Sequence, residues 1–355
     1  MSATMKTYID RSVSVSRANL ACGSGLVQPL LDLLRACSAR SLAIVASGSS
    51  YNATQIALPF MRSCLGAGLH VRVVTPFTFA HADPELVAAD LTVVVTQSGR
   101  STNAIEAIEL IHERGGHAIC LTGDISSSAA RHSDVALDYG VGIETVGYVT
   151  LGVTTLVVYW CALALELSGL RERASDIETA LDVADWMKDH TPQFFENHKK
   201  ALLSPAATYL CGALGSWGVA IEGALKMGET IHVPCIACEI EEFIHGPNLQ
   251  FTPAYSVFLF DPLGSSSSRT QEVHRAARAV SDRSYLITAG GINGAGDENV
   301  MCAPFGCVPE LASLAYLPFV QLISYLVSDA LGSERVHPLL EDFKALASAK
   351  VVAGG

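Results

Sequence analysis

Glu222, Lys226 and Glu229 follow one another at spacings of four and three in the segment WGVAIEGALKMGETI, which puts all three on one face of a helix. Charges at that spacing usually form a solvated face. Here the neighbours Ala220, Ile221, Ala224, Leu225 and Met227 are apolar or small, so the helix is expected to be buried on most sides and to turn its charged stripe to a cleft. Sixteen positions after Glu229, His245 stands in Glu241-Glu242-Phe243-Ile244-His245-Gly246-Pro247. A histidine ahead of Gly-Pro falls at a turn, where its ring can face a cleft. A carboxylate and an imidazole make a workable acid–base pair for moving protons.

Two loops in the first half share one form. Ala46-Ser47-Gly48-Ser49-Ser50 follows a strand-like run and opens a helix, and so does Thr96-Gln97-Ser98-Gly99-Arg100-Ser101-Thr102. Such loops combine neutral hydroxyl donors with the free amides of a helix N-terminus, a setting suited to a phosphate ester. The same letters also serve as ordinary N-caps. Two of them on adjacent βα units, at the carboxyl ends of strands where open sheets bind ligands, favour the phosphate reading.

The elements that must carry these residues alternate. Strands are expected at 41–46, 71–76, 91–96, 117–123 and 135–140, with helices at 53–66 and 102–116, the second ended by its glycines, and a long apolar helix near 149–169. The order repeats with strands at 207–212, 256–262 and 283–290, and helices at 219–231, 270–280 and 310–331. Alternation of this kind predicts an α/β fold, two tandem doubly wound parallel sheets covered on both faces. The expected domains are 1–170 and 201–355. The charge-rich stretch 171–200 is expected to bridge them as solvated helices.

Length and composition agree with this. The chain has 355 residues, enough for about two domains. Half of them are apolar and only 16% charged, which excludes a disordered chain. A net charge of −12 argues against nucleic acid, whose phosphates require surplus Lys and Arg. A mean hydropathy of +0.34 raises the membrane question, and residues 145–165 and 311–328 carry no charge. The first run nevertheless holds Gly147, Thr150, Gly152, Thr154 and Thr155, and the second Pro318 and Gln321, without basic flanks, so buried core helices are expected. No apolar core follows the N-terminus, so no signal peptide is expected. Ten irregularly spaced cysteines suit buried thiols in a reducing cytosol. Cys235-Ile-Ala-Cys238, near His232, lacks the four tightly spaced ligands of a zinc site, and Cys302 and Cys307 are further apart still; neither a metal nor a cofactor is expected. The cluster Gly290-Gly291-Ile292-Asn293-Gly294 is a turn, not a nucleotide fingerprint.

The stretches SGSSYNA, TQSGRST, EGALKMGE and EEFIHGP together resemble the tandem sugar isomerase (SIS) domain proteins, and the likeness to the isomerase half of glucosamine 6-phosphate synthase runs over nearly the whole chain. The last two stretches are the more specific. The resemblance implies that Ser50, Thr96, Gln97, Ser98 and Ser101 hold a sugar phosphate, with Ser49 and Glu222 among the substrate-binding set. It implies that Glu229 moves a proton between C1 and C2, with Lys226 beside it, and that His245 helps open the sugar ring. In the family this histidine comes from the neighbouring subunit, which implies a homodimer with composite sites.

Departures from the family are informative. The chain begins Met-Ser with no room for a glutaminase domain, so making amino sugar from glutamine is not expected. Val149-Thr150-Leu151 stands where the synthase has Ser-Thr-Lys. The family's C-terminal catalytic lysine follows a proline; here Pro338 precedes Lys344 one residue out of step, which makes Lys344 a candidate Schiff-base or ring-opening residue, with Lys350 behind it. The ending Ser333-Glu334-Arg335-Val336-His337-Pro338-Leu339 resembles that of the fructoselysine 6-phosphate deglycases. The expectation is a cytoplasmic deglycase or isomerase of amino-substituted hexose 6-phosphates. The alternatives are a glucosamine 6-phosphate deaminase–isomerase and a non-catalytic phosphosugar sensor.

Overall fold

The computed structural model describes residues 4–82, 84–291, 297–332 and 339–350. Contacts divide the chain into two units, each built on a five-stranded parallel sheet. The first sheet contains β1 (Ser41–Ala46), β2 (His70–Val74), β3 (Leu91–Thr96), β4 (Ile119–Thr122) and β5 (Val135–Asp138), in the order β2-β1-β3-β4-β5. The second contains β6 (Thr208–Gly212), β7 (Cys235–Glu239), β8 (Ser256–Phe260), β9 (Ser284–Ala289) and β10 (Val300–Ala303), in the order β7-β6-β8-β9-β10. The two orders match strand for strand and are that of a doubly wound flavodoxin-like sheet. The expected tandem architecture is present.

Near-continuous apolar letters make these strands because helices cover both faces of each sheet. Every residue of TYLCG and SVFLF is buried. The helices are α1 (Met5–Ala21), α2 (Ser24–Ala36), α3 (Gly48–Leu65), α4 (Pro76–His81), α5 (Pro84–Val87), α6 (Thr102–Glu113), α7 (Ser128–His132) and α8 (Leu151–Ser168). They continue as α9 (Ala174–Leu202), α10 (Trp217–Ile231), α11 (Ile240–Ile244), α12 (Ser267–Arg278), α13 (Ala312–Leu331) and α14 (Leu340–Leu346).

The two apolar runs are core helices. In the first unit α8 packs on α2 and α3, with Leu151 through Leu165 all buried. In the second, α13 packs between α9 and α10. Both are long and apolar enough to cross a membrane, yet most of each is buried inside its own unit.

Strands β7 and β10 were not among the expected elements, and three helices differ from the sequence reading. The stretch 171–200 is not a solvated bridge: α9 buries Ile177, Leu181, Ala184, Met187, Phe194 and Phe195, and packs on α13 within the second unit. Its charges occupy one side of an amphipathic helix, and the buried side is the one that decides its place. Helices α1 and α2 precede the first expected element. Met5 and Ile9 of α1 pack on Leu322 in the second unit, while residues from Ser14 onward and the C-terminal residues 339–350 belong with the first. The deglycase-like ending 333–338 and residues 292–294 of the glycine cluster lie outside the described residues.

The cysteines are all free thiols. Burial pushes the Cys235 thiol up to about 12 and raises those of Cys211 and Cys238, away from thiolate chemistry. No group of three or more His, Cys, Asp or Glu is arranged to hold a metal among the described residues.

Candidate active site

In the first domain both hydroxyl-rich loops leave the carboxyl ends of neighbouring central strands and enter helices. Gly48, at φ 55°, starts α3, and Ser49 and Ser50 follow in its first turn, nearly buried. Ser47 is the N-cap residue of α3 and Ser101 that of α6, yet neither side chain caps its helix. Elsewhere in the same domain, Thr75 and Ser127 do cap theirs, accepting from the Thr78 and Ala130 amides. Conventional capping therefore explains α4 and α7 but not the two loops.

The second loop is held rigidly from β4. Gln97 offers its carbonyl to the Gly123 amide at 3.1 Å and to the Thr122 hydroxyl at 3.3 Å, and the Gly99 carbonyl accepts from the Ala129 amide at 2.9 Å. Gly99 has φ +62° and lies against the Ser127 side chain, so a Cβ there would collide with the Ser127 hydroxyl. Thr96, at the end of β3, is buried with its hydroxyl 3.5 Å from that of Ser101. Gln97, Ser98 and Ser101 are half-exposed. The loop thus offers side chains to solvent from a fixed backbone.

Two further features border this loop. The C-terminal tail lies on its rim: Lys350 pairs with Ser101 as an isolated antiparallel bridge, and the Thr102 amide donates to the Ala349 carbonyl at 3.2 Å. Lys344 instead pairs with Glu341 in α14, with both side chains exposed. Of the two C-terminal lysines, Lys350 is the one at the loop. Beside it, the N-terminus of α8 is capped by a carboxylate the sequence reading missed. Glu144 accepts from the amides of Thr150, Leu151 and Gly152 at 2.8, 3.0 and 3.2 Å. A Cβ on Gly152 would meet the Gln97 side chain and the Tyr139 hydroxyl, each at 3.0 Å, so α8 starts against the second hydroxyl-rich loop. A Glu six residues ahead of Thr150, before a run without charge from 145 to 165, was the only signal.

In the second domain α10 carries the charged stripe. It lies close to the sheet because Gly223 faces Leu210 of β6 and Val320 of α13, where a side chain would not fit. The stripe does not line a cleft along its length. Glu222 and Lys226 are wholly buried and only Glu229, at 35% side-chain exposure, reaches the surface. The Lys226 ammonium lies 3.5 Å from Glu222 and 3.1 Å from Glu229. Burial is the largest single influence on Lys226 and pulls its pKa down, but the two carboxylates together outweigh it and hold the pKa above its ordinary value. The lysine is therefore a fixed cation under Glu229.

His245 caps the C-terminus of α11 and is exposed. It lies on the other face of the sheet from α10. Leu210 of β6 points to α10, whereas its neighbours Tyr209 and Cys211 point the opposite way, into a cluster with Ile240 and Phe243 of α11. The structure brings Glu222, Lys226 and Glu229 together, and Thr96 with Ser101. It does not bring His245 to Glu229 within the second domain.

Two doubly wound domains in tandem, one of them with two hydroxyl-rich helix entries that their N-cap serines do not cap, define a protein of the doubly wound α/β class. Residues 37–165, within the first domain, match the SIS domain family, and the second domain repeats the strand order of the first. The chain is 24% identical over 357 residues to the glutamine–fructose-6-phosphate aminotransferase (isomerizing) of Idiomarina loihiensis, covering 95% of this chain and 55% of that protein. It spans about half the length of the curated relatives it matches. The C-terminal domain of glucosamine-fructose-6-phosphate aminotransferase from Francisella tularensis superposes with a TM-score of 0.81 at 20% identity, covering 95% of this chain and 99% of that one. A glucosamine-6-phosphate deaminase from Thermotoga maritima superposes at 0.72 with 17% identity, covering 93% and 95%. At these identities the superpositions establish the fold.

Proposed function

We propose that this protein is a phosphosugar enzyme that opens an amino-substituted hexose 6-phosphate, moves a proton between C1 and C2, and releases the amine. The observation that carries this reading is the pair of helix entries, at α3 and α6, whose own serines leave the first turn uncapped. Ser50, Thr96, Gln97, Ser98 and Ser101 hold the phosphate through hydroxyl, amide and helix-terminal donors. Glu229, steadied by the buried Lys226, takes the proton from one carbon and returns it to the next. For an amino ketose this turns the C1 amine into an imine at C1, and water then releases the amine and leaves an aldose 6-phosphate. Lys226 acts by positioning Glu229 and does not itself touch the sugar.

The opposite placement of Glu229 and His245 on one sheet supports a homodimer in which the ring-opening imidazole comes from the other copy. Substrates of this kind and the free thiols suit a reducing cytosol. The related reading as a glucosamine 6-phosphate deaminase–isomerase uses the same residues and differs in which carbon bears nitrogen; it is favoured by the Thermotoga likeness. A sensor would need the loops but not Glu229. Incubating the purified protein with a panel of aminated hexose 6-phosphates and assaying free hexose 6-phosphate decides among them. Release from a C1-aminated ketose supports the deglycase, release from a C2-aminated aldose supports the deaminase, and no release from any of them overturns both.

A further inference from the structure

Gln97 stands where three segments of the first domain meet. Its carbonyl is held from β4 by the Gly123 amide and the Thr122 hydroxyl. Gly123 is itself wedged in place. A Cβ there would come within 2.5 Å of the Val141 side chain and 3.1 Å of the Gly142 carbonyl, so the chain leaving β5 presses on the same junction. The third segment is the first turn of α8. A Cβ on Gly152 would approach Val149 Cγ1 at 2.9 Å and Gln97 Cγ at 3.0 Å. The helix therefore begins in contact with the Gln97 stem, and glycine is the residue that leaves the stem room.

Glu144 fixes that turn. Thr150 occupies the N-cap position, but its hydroxyl donates to the Tyr148 carbonyl at 2.9 Å and does not cap the helix. Glu144 takes over from six residues upstream. One of its oxygens accepts from the Thr150 and Leu151 amides and the other from the Gly152 amide. Three charge-assisted hydrogen bonds at the positive end of an 18-residue helix hold its first turn more firmly than a neutral cap would. Behind that turn α8 is buried from Leu151 through Leu165, so packing fixes the rest of it. The Gly152 amide that Glu144 holds belongs to the residue that touches Gln97. One residue thus separates the carboxylate from a side chain of the second loop.

We propose that Glu144 is a positioning residue for the ligand: by clamping the first turn of α8 it keeps Gly152 against Gln97 and aims the Gln97 amide at the phosphate of the substrate. This rests on the reading of the second loop as a phosphate site. A glutamine loses rotamer freedom when it orders around a ligand, and a stem already backed by Gly152 has less of it to lose. Glu144 itself does not touch the ligand, and its effect on affinity passes through Gln97.

Calorimetry with glucose 6-phosphate on single and double variants of the intact chain tests this. Glu144→Ala should weaken binding about tenfold, whereas Glu144→Gln, which keeps an acceptor for two of the three amides, should weaken it only about threefold. Gly152→Ala leaves the cap in place and pushes on the Gln97 stem, so it too should weaken binding about tenfold. It keeps the test decisive if Glu144→Ala fails to fold. Gln97→Ala removes the Cγ that Gly152 touches, and in that background each substitution should cost no more than about twofold further. A change that merely loosened the domain would keep its full effect there. Full additivity in the Gln97→Ala background, or unaltered affinity in both Glu144→Ala and Gly152→Ala, overturns the positioning role while the phosphate reading stands. Unaltered affinity in Gln97→Ala alone removes Gln97 from the phosphate reading, and the positioning role falls with it.

Discussion

Glu229 and His245 lie on opposite faces of the same five-stranded sheet, although only sixteen positions separate them in the chain. The cause is the right-handed winding of parallel strands. The connection from β6 out to β7 passes over one face as α10, and the connection from β7 back to β8 passes over the other through α11. Under the proposed function, a base and an imidazole placed in this way would act on one sugar from two copies of the chain.

Subunit mixing tests that arrangement. Glu229→Gln and His245→Ala chains, each inactive alone, should recover part of the wild-type turnover once their subunits exchange. Absence of recovery after verified exchange would count against a shared site.

The proposed phosphate-binding role of the α3 and α6 entries makes a prediction about ligand preference. Hexose 6-phosphates should bind more tightly than the free hexoses by orders of magnitude, since several charge-assisted hydrogen bonds of roughly 1.5–3 kcal/mol each depend on the phosphate. Calorimetry giving equal dissociation constants for both would remove the phosphate cradle.

The buried charges of α10 make a stability prediction. Lys226→Met leaves Glu222 buried without its cation and should cost about 3–5 kcal/mol, whereas Glu222→Gln/Lys226→Met should recover much of it. Thermal melts read both. Because the Lys226 pKa is raised on folding, its contribution is fully present below 10.5, the ordinary lysine value, and is lost as pH climbs through the higher folded value. A wild-type stability that stays flat through strong alkali while Lys226→Met shows the same profile would contradict this.

At the acid end His274 should act. It is buried in α12 with its ring 3.2 Å from the Ser284 carbonyl, and burial, more than Arg278 and Arg275 nearby, lowers its pKa despite that bond and Asp297. A depressed pKa means that the unfolded chain binds the extra proton first. Stability is therefore complete above about 6.5, the ordinary histidine value, and declines as pH falls toward the lower folded value. Urea melts at stepped pH should show this decline in the wild type and a flatter curve in His274→Gln. Superimposable curves would remove the assignment.

The alternating apolar runs made the two sheets legible, because strands such as SVFLF are buried on both faces and carry no competing pattern. Strand β10 was not legible: four residues, half of them only partly buried, give no period. The α2 stripe of Val27, Leu30, Leu31 and Leu34 was readable at helical spacing but carried no motif to draw notice. At the site, residue type and spacing located Glu229, His245 and both loops. They could not tell that Lys226 is sealed in the core, since full burial depends on Gly223 letting α10 settle against Leu210. Nor could spacing show that Lys350 rather than Lys344 meets Ser101, a contact between residues nearly 250 positions apart.

The proton transfer assigned to Glu229 is tested most directly by exchange into deuterated water. Glu229→Gln keeps the shape of the side chain and removes its basicity, so turnover should fall by about 10²-fold or more while ligand affinity stays close to wild type. Incubated with an amino-substituted hexose 6-phosphate in deuterium oxide and followed by NMR, the wild type should wash deuterium into C1 or C2, and the variant should do so at least a hundred times more slowly. Exchange at the wild-type rate in Glu229→Gln would contradict the account and leave a phosphosugar sensor, or another base such as Glu242, as the better reading.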